Sequence, residues 1–205
     1  MANWAFTEYV IEGPRETLER IENAILNPNC PEGASEDWEG GVLKALGFEW
    51  KENSPDGTGK YMRGFIYKDS IRLEEDTLIF DAEEAWGITD FYEVLEENLP
   101  EIDVYWYVEE SGEGIYSTND TTGKHFPARY FVEISFNDEF HSNYFNTNEE
   151  VYKWIADILK VESVTEEDIK TFNNSEEDIK TSNNSKKDEE GIRNYITIHE
   201  IEICK

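Results

Sequence analysis

Residues 4–25, WAFTEYVIEGPRETLERIENAI, form the first strand–helix unit of the chain and decide the class of its fold. Aromatic and β-branched residues predict a strand over Trp4–Glu12, and the dipeptide Gly13-Pro14 ends it. Leu18 and the isoleucines that follow it recur at the spacing of one helical face, so a helix comes next. A strand followed by an amphipathic helix indicates a protein that mixes helices with a sheet.

The same periodicities continue to residue 108 in the order strand, helix, strand, strand, helix, strand. The later strands are Tyr61–Lys68, Thr77–Asp81 and Ile102–Val108. Thr89 is the predicted cap of the second helix, and a short extra helix carrying Trp38 lengthens the first crossover. Because this order is that of the split βαβ motif, we predict an α+β fold with a ferredoxin-like βαββαβ antiparallel sheet in residues 1–115.

Residues 116–205 predict an α+β extension packed on that domain, made of a β-hairpin, a helix and a strand. Tyr130–Phe136 alternates and turns at Asn137-Asp138 into a second strand, and Thr147 with Glu150 predicts a capping box for the helix. In the closing strand, Tyr195–Cys204, the isoleucines change parity. We therefore expect either a bulge near His199 or burial on both faces.

A ten-residue tandem repeat lies between the last helix and the closing strand. EEDIKTFNNS at 166–175 is followed by EEDIKTSNNS at 176–185. Two units with one isoleucine each cannot build a solenoid, so we predict a flexible surface loop over 163–192. A partner-binding arm is the alternative.

Several short motifs lie within residues 1–115: Met1-Ala2-Asn3-Trp4, Ile11-Glu12-Gly13, Ile79-Phe80-Asp81, Ala85-Trp86, Asn98-Leu99-Pro100 and Val108-Glu109-Glu110-Ser111-Gly112. In these motifs the chain resembles the YubB/Api92-like ferredoxin-like proteins of phages, plasmids and related mobile elements. The resemblance implies the ferredoxin-like fold and a mobile-element context. It brings no enzymatic activity that could be assigned to particular residues.

Composition favours a folded cytoplasmic protein. Hydrophobic residues make up 38% and aromatic residues 14% of 205 residues, enough for a core. The first residues lack the basic and apolar regions of a secretory signal, and no apolar run reaches bilayer length, so we expect no membrane association. Cys30 and Cys204 belong to no CxxC pair, which predicts reduced thiols and no zinc site.

No catalytic motif is present, and we predict no cofactor. Asp56–Lys60 superficially resembles a phosphate loop, but Ser54 and Tyr61 stand where that loop needs a glycine and a Ser or Thr. The three histidines, His125, His141 and His199, lie on separate segments. They leave open an enzyme that uses carboxylates and a histidine to bind a metal.

Acidic charge is the feature that stands out. The net charge is -29, and from Leu73 to Gly123 there is no Lys or Arg. On the helix after Thr89, Asp90, Glu93 and Glu97 share one face. Glu96 and Glu101 lie close by, and these five acids are the predicted partner-binding residues. Such a surface repels nucleic acid and membranes and attracts basic proteins, although a merely solubilising surface would look the same.

The leading functional hypothesis is a non-catalytic accessory protein of a mobile element that acts by protein binding. Its sharper form is an acidic decoy for a nucleic-acid-binding protein of the host or a competitor, without direct nucleic-acid binding of its own. The alternative is the carboxylate- and histidine-dependent metalloenzyme.

Overall fold

A computed structural model describes residues 3–52, 59–174 and 194–204 of the chain. The chain forms two compact units, Met1–Phe126 with Ile203–Lys205, and Pro127–Glu202. Five α-helices and two mostly antiparallel sheets lie within the described residues, which confirms the α+β class. Division of the chain at residue 115 stays a prediction; the strand at 115–118 and the loop after it group with the first unit.

The first unit contains a seven-stranded sheet, whose last strand begins at Glu202, the final residue of the second unit. Its strands are β1 (Trp4–Glu12), β2 (Gly64–Ile66), β3 (Arg72–Leu73), β4 (Thr77–Ala85), β5 (Asp103–Glu110), β6 (Ile115–Thr118) and β10 (Glu202–Ile203). The order across the sheet is β10-β6-β5-β1-β4-β2, and β3 also pairs with β4. β1 pairs antiparallel with β4 along its whole length and with β5 on its other side, so the predicted first strand forms the centre of the sheet.

Three helices, α1 (Arg15–Leu26), α2 (Glu39–Leu46) and α3 (Phe91–Asn98), cover one face of this sheet. Their apolar residues share one core with the inward residues of the strands, including Tyr9, Phe80 and Trp106. Strand side chains alternate between faces, so Ala5, Tyr9 and Ile11 point to the helices while the residues between them point to the other face.

Some predicted boundaries of the first unit are wrong. β2 has three residues instead of eight, because the backbone around Tyr61 and Met62 bonds to the Asp90 carboxylate and the Trp38 indole rather than to a strand. α3 begins after Asp90, not after Thr89, and the buried Thr89 hydroxyl donates to Glu84. The strand predicted at Thr77–Asp81 continues to Ala85.

The second unit contains a three-stranded sheet in the order β8-β7-β9. Its strands are β7 (Tyr130–Phe136), β8 (Glu139–Phe145) and β9 (Tyr195–Glu200), and its helices are α4 (Asn148–Leu159) and α5 (Glu166–Asn174). The hairpin turn and the capping box are confirmed: Asn137 and Asp138 both have positive φ, and Thr147 and Glu150 bond reciprocally. Val132, Ile134, Val151 and Ile155 form the centre of this core.

The first repeat unit is helical. α5 spans most of it, and Ile169 is 8% exposed in the second core, with Phe172 packed beside it. The side chain of Asn173 also bonds the backbone N–H and C=O of Ile196. The part of the predicted flexible loop that the structure describes, residues 163–174, therefore packs on a sheet; residues 175–192 lie outside the described residues.

The parity change in the closing strand has a topological origin. The strand is interrupted at Ile201. The part before this residue, β9, belongs to the three-stranded sheet, and the part after it, β10, belongs to the seven-stranded sheet. Ile196 and Ile198 pack in the core of the second unit, whereas Cys204 packs in the core of the first. The strand therefore changes sheet where a bulge near His199 or burial on both faces was expected.

No helix within 3–52, 59–174 or 194–204 combines the length and the apolar character needed to cross a bilayer.

Candidate partner-binding surface

Two of the predicted acidic residues on α3 are paired with a lysine. Glu93 and Glu97 lie one turn apart and both bind Lys60 Nζ, at 2.5 and 2.8 Å. Hydrogen bonds to these carboxylates raise the pKa of Lys60. The predicted acidic stretch is therefore compensated here by a base that lies before it in the sequence.

The other three predicted residues also have intramolecular partners. Asp90 accepts the Tyr61 backbone N–H, Glu96 accepts that of Val104 at 3.1 Å, and Glu101 accepts the Thr17 hydroxyl at 3.0 Å. Burial raises the pKa of Glu96. The five carboxylates thus tie α3 to neighbouring segments, and their role in binding a partner stays a prediction.

A second acidic surface lies on the face of the seven-stranded sheet opposite the helices. We call it the aromatic–acidic face; it consists of Trp4, Phe6, Glu8, Arg63, Phe65, Tyr67, Asp81 and Glu83. Strand alternation brings these residues to one side, while their neighbours Ala5, Ile66 and Ala82 are buried in the core.

The strand register arranges this face in rows. Glu83 on β4 lies directly opposite Phe6 on β1 and opposite Phe65 on β2. One step along, Glu8 lies opposite Asp81, and Tyr107 of β5 lies beyond Glu8. Carboxylates and aromatic rings therefore stand side by side in each row.

The rings of this face are well exposed within the described part of the chain. Trp4 is 37% and Phe6 38% exposed, although both lie on a central strand. Trp4 contacts Phe65 with ring centroids 5.1 Å apart, and the Arg63 guanidinium lies 6.0 Å from the Trp4 centroid. A central strand that keeps two large rings half exposed presents apolar area available for contact with a partner.

Two carboxyl groups of this face, those of Glu8 and Asp81, have raised pKa values. Burial first, and then the charge of Asp81, raises the pKa of Glu8, and burial raises the pKa of Asp81; Arg72 opposes both shifts. Burial and a hydrogen bond with Glu83 raise the pKa of Tyr67 to about 12. A cation placed over this face would relieve the repulsion between the opposed acids.

The loop after β6 closes the other end of this sheet face. The His125 ring contacts Tyr105 at 4.8 Å, and its Nε2 lies 3.0 Å from Glu12 Oε1. Asp120 anchors the loop: burial opposes its ionisation, but hydrogen bonds from the backbone of Phe126 and His125 prevail and lower the pKa of Asp120. At this end of the sheet, the loop after β6 therefore packs on the strands.

A buried pair of acids, Glu39 and Glu84, lies at the start of α2. Glu84 accepts hydrogen bonds from the hydroxyls of Thr7, Tyr9 and Thr89, at 2.5, 2.8 and 2.6 Å. Glu39 is 1% exposed, and its Oε1 has no hydrogen-bond partner. Burial and the charge of Glu84 raise the pKa of Glu39 well above its usual range. Both carboxyl groups of this pair are buried within the first unit.

The histidines do not form a metal centre in the described residues. Each lies beside one carboxylate: His125 beside Glu12, His141 beside Glu139 and His199 beside Glu133. No group of three or more His, Cys, Asp or Glu side chains within the described ranges is placed to hold a metal ion.

Sequence reasoning did not find the aromatic–acidic face. The signal was the alternation Trp4, Phe6, Glu8 in β1, but Tyr9 and Ile11 on the opposite parity are equally apolar. Which parity faces the helices depends on the packing of α1–α3, which periodicity alone does not give.

Comparison with known proteins gives no assignment, since no family model, curated protein or solved structure matches the chain. The resemblance to YubB/Api92-like proteins stays a prediction.

Proposed function

We propose that the first unit has a ferredoxin-like arrangement. The strands β5-β1-β4-β2 lie in that order, and their pairings are antiparallel. One helix connects β1 to the strands that follow it, and α3 connects β4 to β5, as the split βαβ motif requires. The short helix α2 and strand β3 are additions to this pattern.

We propose that the chain is a non-catalytic accessory protein of a mobile element, and that it binds a basic, nucleic-acid-binding protein through the aromatic–acidic face. The mobile-element context rests on the family resemblance alone. The binding function rests on one observation, the adjacency of Glu83 to the rings of Phe6 and Phe65 on an exposed sheet face.

This combination suits a basic protein partner. Aromatic rings bury apolar area and attract cations through their π faces, while the carboxylates beside them form ion pairs. The same carboxylates repel phosphates, which opposes direct binding of nucleic acid to the rings. The remaining acids, including those on α3, add a long-range negative field that speeds the approach of a basic partner.

As a decoy, the chain competes with nucleic acid for the partner. A labelled oligonucleotide bound to a basic peptide that alternates Lys, Ser, Arg and Ser provides a defined test. Added chain should release the oligonucleotide, seen as a fall in fluorescence anisotropy. Release should weaken as salt rises from about 50 mM to about 500 mM, because screening shortens the reach of the charges.

The variant Phe6→Ala/Glu83→Gln should release the oligonucleotide much less effectively than the parent. Phe140→Ala/Glu139→Gln is its control, since it changes an exposed aromatic and an exposed acid on β8. Absence of release by the parent chain, or release unaffected by the Phe6 variant, would reject the proposal.

A further inference from the structure

The aromatic–acidic face offers different binding geometry to the two basic side chains. Lysine carries a compact, strongly hydrated charge. Arginine carries a planar, weakly hydrated group that can stack on a ring and donate from its edge at the same time. A site that places rings directly beside carboxylates therefore binds arginine more favourably than lysine.

The chain itself has an arginine within cation–π distance of a ring of this face. The Arg63 guanidinium lies over the Trp4 ring, 6.0 Å from its centroid, at the edge of the aromatic–acidic face. Trp4 in turn contacts Phe65 in the next strand but one. A guanidinium is thus already accommodated on the first ring of the row.

The second half of the arrangement comes from the register. Phe6 and Glu83 are opposite residues of neighbouring strands, which are about 4.8 Å apart. A guanidinium stacked on Phe6 can therefore direct its N–H groups to the Glu83 carboxylate. Phe65, opposite Glu83 on its other side, gives a second ring for the same carboxylate.

A second row repeats this chemistry. Glu8 and Asp81 are two residues along their strands from Phe6 and Glu83, and Tyr67 lies beside Asp81, whose carbonyl accepts the Tyr67 N–H at 2.9 Å. Two residues of a strand span roughly 6.6 Å, which is also the distance between alternate side chains of an extended peptide. Arginines at alternate positions of a peptide running along the strands would meet both rows.

From this geometry we propose that the aromatic–acidic face binds an extended, arginine-rich segment of the partner, with arginines at alternate positions. The inference rests on the proposed function and adds the chemical class of the ligand. The three acids Glu8, Asp81 and Glu83 outnumber the two arginines of this chain beside them, Arg63 and Arg72, and so supply the charge complementarity. The rings of Phe6, Phe65 and Tyr67 supply the preference for arginine over lysine.

Two peptides of equal length and charge, one alternating Arg and Ser and the other Lys and Ser, test the preference. Titration calorimetry with the full chain should show that the arginine peptide binds about 10-fold more tightly, the effect of roughly 1.4 kcal/mol. Phe6→Ala should remove most of this ratio, whereas Phe140→Ala, an exposed ring of the second unit, should leave it unchanged.

The possible failures are distinguishable. Equal affinity for both peptides overturns the arginine preference and leaves the proposed function standing. If neither peptide binds, both the arginine preference and the proposed function are rejected. Tight binding of a single-stranded oligonucleotide, with displacement of the peptides, would show that the rings stack bases and would also reject both.

Discussion

Ile169 links the first repeat unit to the core of the second unit, and its removal should weaken that unit strongly. The side chain is 8% exposed and packs in the cluster of Val132, Ile134 and Ile155. Ile169→Ala creates a cavity, which for a nearly buried isoleucine at the edge of a core costs about 2–3 kcal/mol. The opening equilibrium of the unit should then rise about 30- to 150-fold.

Hydrogen exchange measured segment by segment is a suitable assay, because it reports on each unit separately. The amides of β7 in Ile169→Ala should lose protection by that factor, while those of β1 should not change. Ile179→Ala is the control, since the second repeat unit has Ser182 where the first has Phe172, and so offers less apolar surface. Unchanged protection in Ile169→Ala, or an equal loss in Ile179→Ala, would refute the packing of α5.

Two further predictions concern buried and capping groups. Burial and the charge of Glu84 raise the pKa of Glu39 in the folded chain above its ordinary value near 4.5. The contribution of Glu39 to the free energy of unfolding is therefore fully present below about pH 4.5 and is lost as the pH rises through the folded pKa. The melting temperature of Glu39→Gln should therefore exceed that of the parent at pH 8 and approach it near pH 4; a constant difference would contradict the buried pair. Thr147→Ala removes the capping box of α4 and should lower the unfolding free energy by about 1 kcal/mol in urea titrations, whereas no change would mean that the cap contributes nothing.

Local signals predicted a large part of the fold. The first strand, Trp4–Glu12, has the predicted bounds, and the capping box at Thr147 is present, because both depend on residues close in sequence. The length of β2 was overestimated because the backbone of Tyr61 and Met62, just before it, bonds to Asp90 and Trp38. These contacts join distant segments, so no local sequence pattern contains them.

The repeat shows the same limit. Ile169 and Phe172 are three residues apart and lie on one side of a helix, but two apolar residues are too few to predict a packed helix. The docking of α5 depends on the sheet that receives it, and on the bonds of Asn173 to Ile196.

The aromatic–acidic face contains none of the five acids that were predicted from the sequence. The acidic charge follows from the composition, and a basic partner stays a prediction. Pairing of Lys60 with Glu93 and Glu97 joins residues more than thirty positions apart and was invisible in the sequence. The sequence also did not show which face of β1 is exposed, since aromatic rings occupy both faces of that strand.

Matched charge removal on the two acidic surfaces tests the central claim most directly. Glu8→Gln/Glu83→Gln neutralises two acids of the aromatic–acidic face, and Glu97→Gln/Glu101→Gln neutralises two acids at α3, so both variants change the net charge equally. Affinity for the alternating Arg and Ser peptide, measured by calorimetry at one salt concentration, should fall about 5- to 30-fold in the first variant and less than about 3-fold in the second. An equal loss in both variants would mean that only the overall charge attracts the peptide, and a larger loss in the α3 variant would place the binding surface on α3.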